Sequence, residues 1–235
     1  MKLPLSNRLL TCCGFVRPGD RVADIGCDHG YLGIYLLQHK IASAVIAADV
    51  NASPLQCAKE NALKFGVQDR IHPYLSDGVQ QIPRDFDTMV CAGMGADTMI
   101  SILSAAPWLQ NPQYRLILQC QSKRPELRKY LAAHGFSISR ETLAQDGKFI
   151  YPVTEVIYQP PAPLAPWEYY VSKQLLDDNS PLLPLFLKRV IGGLEDSLPG
   201  AHQRGEQAVR ELEEILSRLR ELRETEKELL NDNRL

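Results

Sequence analysis

The sequence predicts an α/β fold: a parallel sheet with helices on both faces, finished by an antiparallel hairpin and followed by a separate helical appendage. Three observations carry this. Up to Gly135, short apolar runs alternate with helix-length segments, the spacing of repeated βαβ units. Asp146-Gly147 then separates two extended runs, which is a hairpin signal. Beyond them Pro160-Pro-Ala-Pro-Leu-Ala-Pro166 breaks regular structure and leads into a leucine-rich tail.

Taken in order, Leu5 to Cys13 is read as an opening helix stopped at Gly14. Strands are expected at Arg21–Ile25, Ala44–Asp49, Arg70–Leu75, Asp87–Cys91 and Tyr114–Cys120. The segments between them, Tyr31–His39, Pro54–Phe65, Ala96–Leu103 and Pro125–His134, are long enough for two to three helical turns. Phe136–Leu143 and Lys148–Gln159 form the hairpin. The first domain is therefore expected over residues 1–160, and a proline-rich linker with a helical coiled-coil domain over 161–235. In the tail, Leu212, Ile215, Leu219, Leu222 and Leu229 recur at gaps of three and four, with Ala208 one step earlier and Glu226 as the polar break. Trp167–Leu194 offers the facing apolar residues, and Gly192-Gly193 and Pro199-Gly200 the turns, of an antiparallel helical hairpin. The seam is expected to close within one chain, which favours a monomer over a coiled-coil dimer.

With 235 residues, 45% hydrophobic and 23% charged, the chain has the composition of a folded protein with a sizeable core. A formal net charge of −2 excludes an overwhelmingly basic nucleic-acid coat, so any anionic partner must be held by a local patch. The start, Met1 to Arg8, has no apolar core of a signal peptide, and no apolar stretch reaches membrane-spanning length. A cytoplasmic protein without membrane contact is expected. Six cysteines, none in a Cys-x-x-Cys pair, suit neither a disulfide framework nor a zinc site; reduced thiols and no metal are expected.

Chemistry concentrates where the first strand meets the first helix, at Val22-Ala-Asp24-Ile-Gly26-Cys27-Asp28-His29-Gly30-Tyr31. Asp24-x-Gly26, with Gly30 four residues on, gives a tight turn and close backbone approach to a ligand at a helix start. A dinucleotide site would have Gly-x-Gly-x-x-Gly to cradle a pyrophosphate; here Asp28 stands in the middle glycine position. Carboxylates suit instead the ammonium and sulfonium of S-adenosyl-L-methionine. Further candidates fall at later strand ends, where open α/β sheets bind ligands. Asp49, followed by Val50, can accept both ribose hydroxyls, and Asp77-Gly78 is placed for the adenine amino group. Cys91-Ala-Gly93-Met94-Gly95 leaves room for the methyl group and its acceptor. A Rossmann-like sheet ending in a hairpin is the class I methyltransferase arrangement.

Ser6-Asn-Arg8-Leu9, Ala23-Asp24-Ile-Gly26-x-Asp28-His29-x-Tyr31-Leu32, Ser76-Asp77-Gly78, Gly93-Met94-Gly95, Leu116-Ile-Leu-Gln119 and Asp146-Gly147-Lys148 together make the sequence resemble the bacterial tRNA (adenine-22)-N1-methyltransferase family, TrmK. The resemblance runs through the first domain, and the predicted helical hairpin is similar to the family's C-terminal coiled-coil domain. It departs from the family pattern at Cys27, Gly30, Asp49, Ala96 and Cys120-Gln121.

What the resemblance implies is methyl transfer from S-adenosyl-L-methionine to adenine N1 in tRNA. Asp28 is expected to act on the acceptor ring, with His29 and Tyr31 beside it. Basic residues at Lys123, Arg124, Arg128, Lys129, Arg140 and Lys148, joined by Arg8 near the cofactor mouth, are expected to meet RNA phosphates. Rival readings are a class I methyltransferase for a small molecule or protein, a coiled-coil interaction protein with a degenerate methyltransferase domain, and, more distantly, a nicotinamide oxidoreductase.

Overall fold

The computed structural model describes the backbone of residues 3–232 and the side chains of 3–226. Met1 and Lys2 lie outside the description, as does the side chain of Leu229, the last residue of the predicted seam. The chain divides into two compact units, Met1–Ala162 and Pro163–Leu235.

The first unit runs α1 (Asn7–Cys13), β1 (Arg21–Ile25), α2 (Tyr31–Gln38), β2 (Ala44–Asp49), α3 (Ala52–Lys64), β3 (Ile71–Leu75), β4 (Thr88–Met94), α4 (Ala96–Ser104), β5 (Arg115–Cys120), α5 (Arg124–Ala133), β6 (Phe136–Asp146) and β7 (Phe149–Tyr158). Its strands make one sheet in the order β3-β2-β1-β4-β5-β7-β6. The first five are parallel, and β7 runs antiparallel to both β5 and β6. Chain order reverses between β1 and β4, so a crevice opens beyond the carboxyl ends of those two strands.

Alternation along the strands builds two cores. Val22, Val45, Ala47, Val90 and Ile117 face α1, α2 and α3, packing with Cys12, Ile34, Leu37 and Leu55. Their neighbours Ala23, Ile46, Ala48, Met89, Leu116 and Leu118 face α4 and α5, against Met99, Ile102, Leu127 and Leu131. Both faces are apolar, as a parallel sheet covered by helices requires. Strand β4 continues past the predicted Cys91 to Met94, with a register shift against β5 at Ala92/Met94. The irregularity carries Gly93, at φ +83°, out of the regular pleat and toward the crevice.

The second unit contains a 3₁₀ turn (Pro166–Tyr169), α6 (Lys173–Asp177), α7 (Leu183–Glu195), α8 (Leu198–Arg204) and α9 (Glu206–Asp232). Helix α9 packs on both α7 and α8. Its buried stripe is Leu212, Leu216 and Leu219, while Ala208, Ile215 and Leu222 are only half-buried. The predicted seam is thus rotated toward Leu216, because the helix meets α7, α8 and the Pro166–Tyr169 turn instead of a single partner. The predicted turns also move. Gly192-Gly193 lies inside α7, between the buried Ile191 and Leu194, whose packing outweighs glycine's poor helix propensity. Pro199 and Gly200 fall in the first turn of α8, where proline's missing N–H costs no bond. The chain turns instead after Glu195 and at Gly205, where φ is +106°.

Candidate active site

At the reversal point a cleft of about 260 Å³ is lined by Arg8, Asp24, Gly26, Cys27, Asp28, His29, Tyr31, Gly93 and Met94, with Leu9, Leu32 and Ala92. Nine residues singled out in the sequence therefore meet in one crevice. The turn that begins it is fixed by two donations, from the Gly26 and Cys27 N–H groups to the Ala48 carbonyl at 2.8 and 3.0 Å. Gly26 has φ +70°, and a Cβ there would lie 2.2 Å from the Met94 methyl carbon. The left-handed backbone is what favours glycine there, since the methionine tip could shift.

Asp24 is 5% exposed, and burial pushes its carboxyl up to about 7, opposed in part by a hydrogen bond from the Gly33 N–H. Its Oδ2 has no hydrogen-bond partner. A buried acceptor without a donor is costly, and a donor on a bound group would relieve it. Asp49 is half-buried at the end of β2, where Oδ2 accepts the Asp28 N–H at 3.3 Å and Oδ1 the Asn51 N–H at 2.9 Å. Asp28 takes a positive φ of 49°, which turns its side chain into the cleft mouth. There its Oδ1 sits 3.5 Å from His29 Nε2, and the His29 and Tyr31 rings lie 5.8 Å apart.

The remaining cofactor candidates occupy other places on the same edge. Val50 is 64% exposed beyond β2, and Leu75, which no sequence signal marked, is exposed beside it at the end of β3. Asp77 is exposed after β3, with its N–H donating to Gln81 Oε1 at 2.8 Å. Gly30 and Gly78 do not line the cleft. A Cβ at Gly30 would sit 3.0 Å from Ala58 on α3, and one at Gly78 2.9 Å from Ile102 on α4. Both also have positive φ, 71° and 57°, so backbone conformation and the helix packed against each favour glycine together. Cys27 contributes a neutral thiol, since burial and the nearby Asp24 drive its pKa up.

The basic residues do not form one patch. Arg128 is 6% exposed, and its Nη2 donates to both oxygens of the fully buried Glu141 at 2.6 and 2.8 Å. It ties α5 to β6, and its expected place among the RNA contacts is corrected accordingly. Arg124 lies half-buried beside it, lining a small crevice with Leu118, Leu127 and Thr154. Arg140, the neighbour of Glu141 on β6, points to the opposite face of the sheet and lies over the Phe15 ring at 4.3 Å. Lys123 and Lys129 are exposed on α5 and just before it, and Lys123 is held by Asp97 at 2.7 Å. Lys148 is exposed in the turn between β6 and β7, 5.3 Å from the Phe149 ring.

A profile of the family described as "Methyltransferase domain" matches residues 5–154. The chain belongs to the methyltransferase-domain family. Its methyltransferase domain is 33% identical over 149 residues to the Bacillus subtilis tRNA (adenine(22)-N(1))-methyltransferase, a match covering 63% of each chain. The alignment thus spans somewhat less than two thirds of that relative. Among solved structures, a Streptococcus agalactiae protein of the NADB-Rossmann superfamily is similar at 28% identity and a TM-score of 0.82, over 95% of this chain and 99% of that one. The M. capricolum protein TrmK, solved with S-adenosyl-homocysteine, is similar at 25% identity and a TM-score of 0.74, over 95% and 98%.

Two positions that sequence reasoning did not assign also shape the cleft. Gln119 and Asp146 both hold Arg8, at 2.9 and 3.5 Å. Both stand in motifs that carry the family resemblance, but neither was given a role there, and Asp146 reads locally as a turn residue. Among the described residues no group of His, Cys, Asp and Glu could hold a metal ion, and no helix is long and apolar enough to cross a membrane.

Proposed function

We propose that the chain transfers a methyl group from S-adenosyl-L-methionine to N1 of an adenine in tRNA, at position 22 in the D-arm region. The observation that carries this reading is the carboxylate-lined cleft at the Gly26 turn, with the buried Asp24 Oδ2 awaiting a donor, in a chain similar to proteins named for that reaction. The cofactor supplies a methyl group on a sulfonium, already electrophilic. Asp24 receives its ammonium and Asp49 its ribose hydroxyls. Val50 and Leu75 offer apolar surface to the purine, with Asp77 at its amino group.

Adenine N1 has an in-plane lone pair, so the N–C bond forms as the C–S bond breaks without prior deprotonation. Alignment is the main task. Positive charge passes to the adenine ring, and the Asp28 carboxylate at the cleft mouth stabilises it while accepting a hydrogen bond from N6. His29 and Tyr31 flank that carboxylate and the ring. N1 lies on the Watson–Crick edge, so the target base enters unpaired or turned out. Arg8, Lys123, Lys129, Arg140 and Lys148 meet the phosphates, and the second unit, acting as a helical hairpin of coiled-coil type, holds more of the tRNA body in the cytoplasm.

Nucleoside mass spectrometry of tRNA from a strain lacking the protein tests the reading. Loss of 1-methyladenosine from position 22 is expected; an unchanged level at that position overturns the assignment.

A further inference from the structure

Arg8 is the one arginine or lysine among the described residues lining the cleft. Its guanidinium is gripped from two sides by residues more than 100 positions away. Nη1 donates to Gln119 Oε1 at 2.9 Å, and Nε lies 3.5 Å from Asp146 Oδ2. Gln119 is fully buried at the end of β5, and the same Oε1 also accepts the Gly93 N–H at 3.1 Å. Two donors on one oxygen fix which end of the amide is the carbonyl. Nε2 is left with no acceptor.

Asp146 binds the start of α1 as well, through the Asn7 N–H at 2.7 Å and the Arg8 N–H at 3.3 Å. It performs the capping that the Ser6 side chain does not. Gly93 completes the cradle. A Cβ there would lie 3.3 Å from Arg8 Nη1, so the missing side chain lets the guanidinium rest against the backbone. Arg8 Nη2 has no protein partner among the described residues. A cation held this firmly, with part of its donor set unspent, is preorganised for an anion.

We propose that Gln119 and Asp146 are positioning residues that present the Arg8 guanidinium to an anionic oxygen bound in the cleft, either the carboxylate of the cofactor's amino-acid end or a phosphate of the RNA. The proposal rests on the reading of the cleft as the S-adenosyl-L-methionine site. The carboxylate and the ammonium leave the same carbon, so Asp24 and Arg8 match a zwitterion. A phosphate beside the target base has the same chemistry.

Titration of the full-length protein separates the sources. Three ligands are compared: S-adenosylhomocysteine, its decarboxylated analogue and tRNA. If the anion is the carboxylate, Arg8→Ala and Gln119→Met each weaken S-adenosylhomocysteine binding by about tenfold or more and leave the decarboxylated analogue unaffected. If it is a phosphate, S-adenosylhomocysteine binding holds, and the slope of log tRNA affinity against log salt falls by about one in both variants. In either case Gln119→Met has little added effect in the Arg8→Ala background, because it acts through Arg8. Should Gln119→Met fail to fold, Asp146→Asn reads the same coupling at a position 22% exposed. The proposal is overturned if Arg8→Ala changes none of these affinities, or if the Gln119→Met or Asp146→Asn loss persists at full size without Arg8. A wild-type protein that binds no S-adenosylhomocysteine overturns the cofactor reading itself, a result distinct from either.

Discussion

The carboxyl of Asp24, raised to about 7 by burial, makes cofactor binding a proton-linked event. The unfolded chain releases this proton near the ordinary carboxylate range, whereas the folded, ligand-free chain keeps it to about 7. Stability of the free protein therefore falls as pH rises through that window. A cationic ligand group reverses the preference, favouring the carboxylate and expelling the proton. Affinity for S-adenosylhomocysteine is expected to rise by about tenfold between pH 6 and pH 8, and Asp24→Asn to flatten the profile; a slope that survives the substitution refutes the linkage. At the cleft mouth Asp28 has a different task. Asp28→Asn keeps the N–H donated to Asp49, so cofactor affinity should hold while the single-turnover methylation rate drops more than about tenfold, the loss of one charged stabiliser in the transition state. A near-normal rate, or failure to bind cofactor, contradicts that division. Asp24 and Asp28 could be picked out in the sequence because they flank the Gly26 turn between a strand and a helix, where open α/β sheets bind ligands. Gln119 and Asp146 stood in the family motifs, but their hold on Arg8 was not legible, because the partners lie more than 100 residues apart in sequence.

Burial decides which charges belong to elements and which to solvent. Along α5, Arg128 lies between Leu127 and Leu131 on the inward face, where only a carboxylate of its own can hold it. Glu141 supplies that, along with a bond from Thr154 at 2.6 Å. Removing the arginine takes the cation away from a buried carboxylate and leaves Glu141 to neutral donors such as Thr154, a loss of about 3–5 kcal/mol. Arg128→Glu is thus expected to lower the urea midpoint sharply or abolish soluble protein, whereas Lys129→Glu should fold normally and flatten the salt dependence of tRNA binding. Equal stability of the two variants would dismiss the distinction. In sequence both residues read as one basic surface, since charge patterns do not reveal which side of a helix a partner strand covers. The strands themselves were plain. β1 and β2 begin and end where their apolar runs do, because turn residues bound them. β4 overran its predicted end because Gly-Met-Gly reads as loop while pairing with β5 continues through the bulge. In the second unit, glycine and proline pairs suggested turns that buried leucines and helix-start geometry override.

For the molecule as a whole, a net charge of −2 leaves RNA affinity to how cations are distributed between the units. The sheet and its hairpin are complete at Tyr158, and the first unit extends to Ala162. Truncation after Pro163 should therefore leave a domain that folds, because both cores are built from elements before that point. It should bind S-adenosylhomocysteine with little change, since every cleft residue lies between Arg8 and Met94 and their support ends at Asp146. If the helices of the second unit hold the tRNA body, the truncated domain should lose most of its tRNA affinity, and the full-length chain should show the steeper linear fall of log affinity with log salt. Charge alone does not guarantee this, because the arginines of α9 are largely matched by its own acids, as in the pairs Arg210–Glu206 and Arg218–Glu221. Exposed pairs of that kind contribute little to stability, so an approaching phosphate can exchange for the carboxylate at small cost. Methylation of full-length tRNA by the truncated domain at the rate of the intact chain would settle the matter the other way. The second unit would then serve stability or assembly, and recognition would rest on the first unit, on Arg8 in the cleft and the exposed lysines outside it.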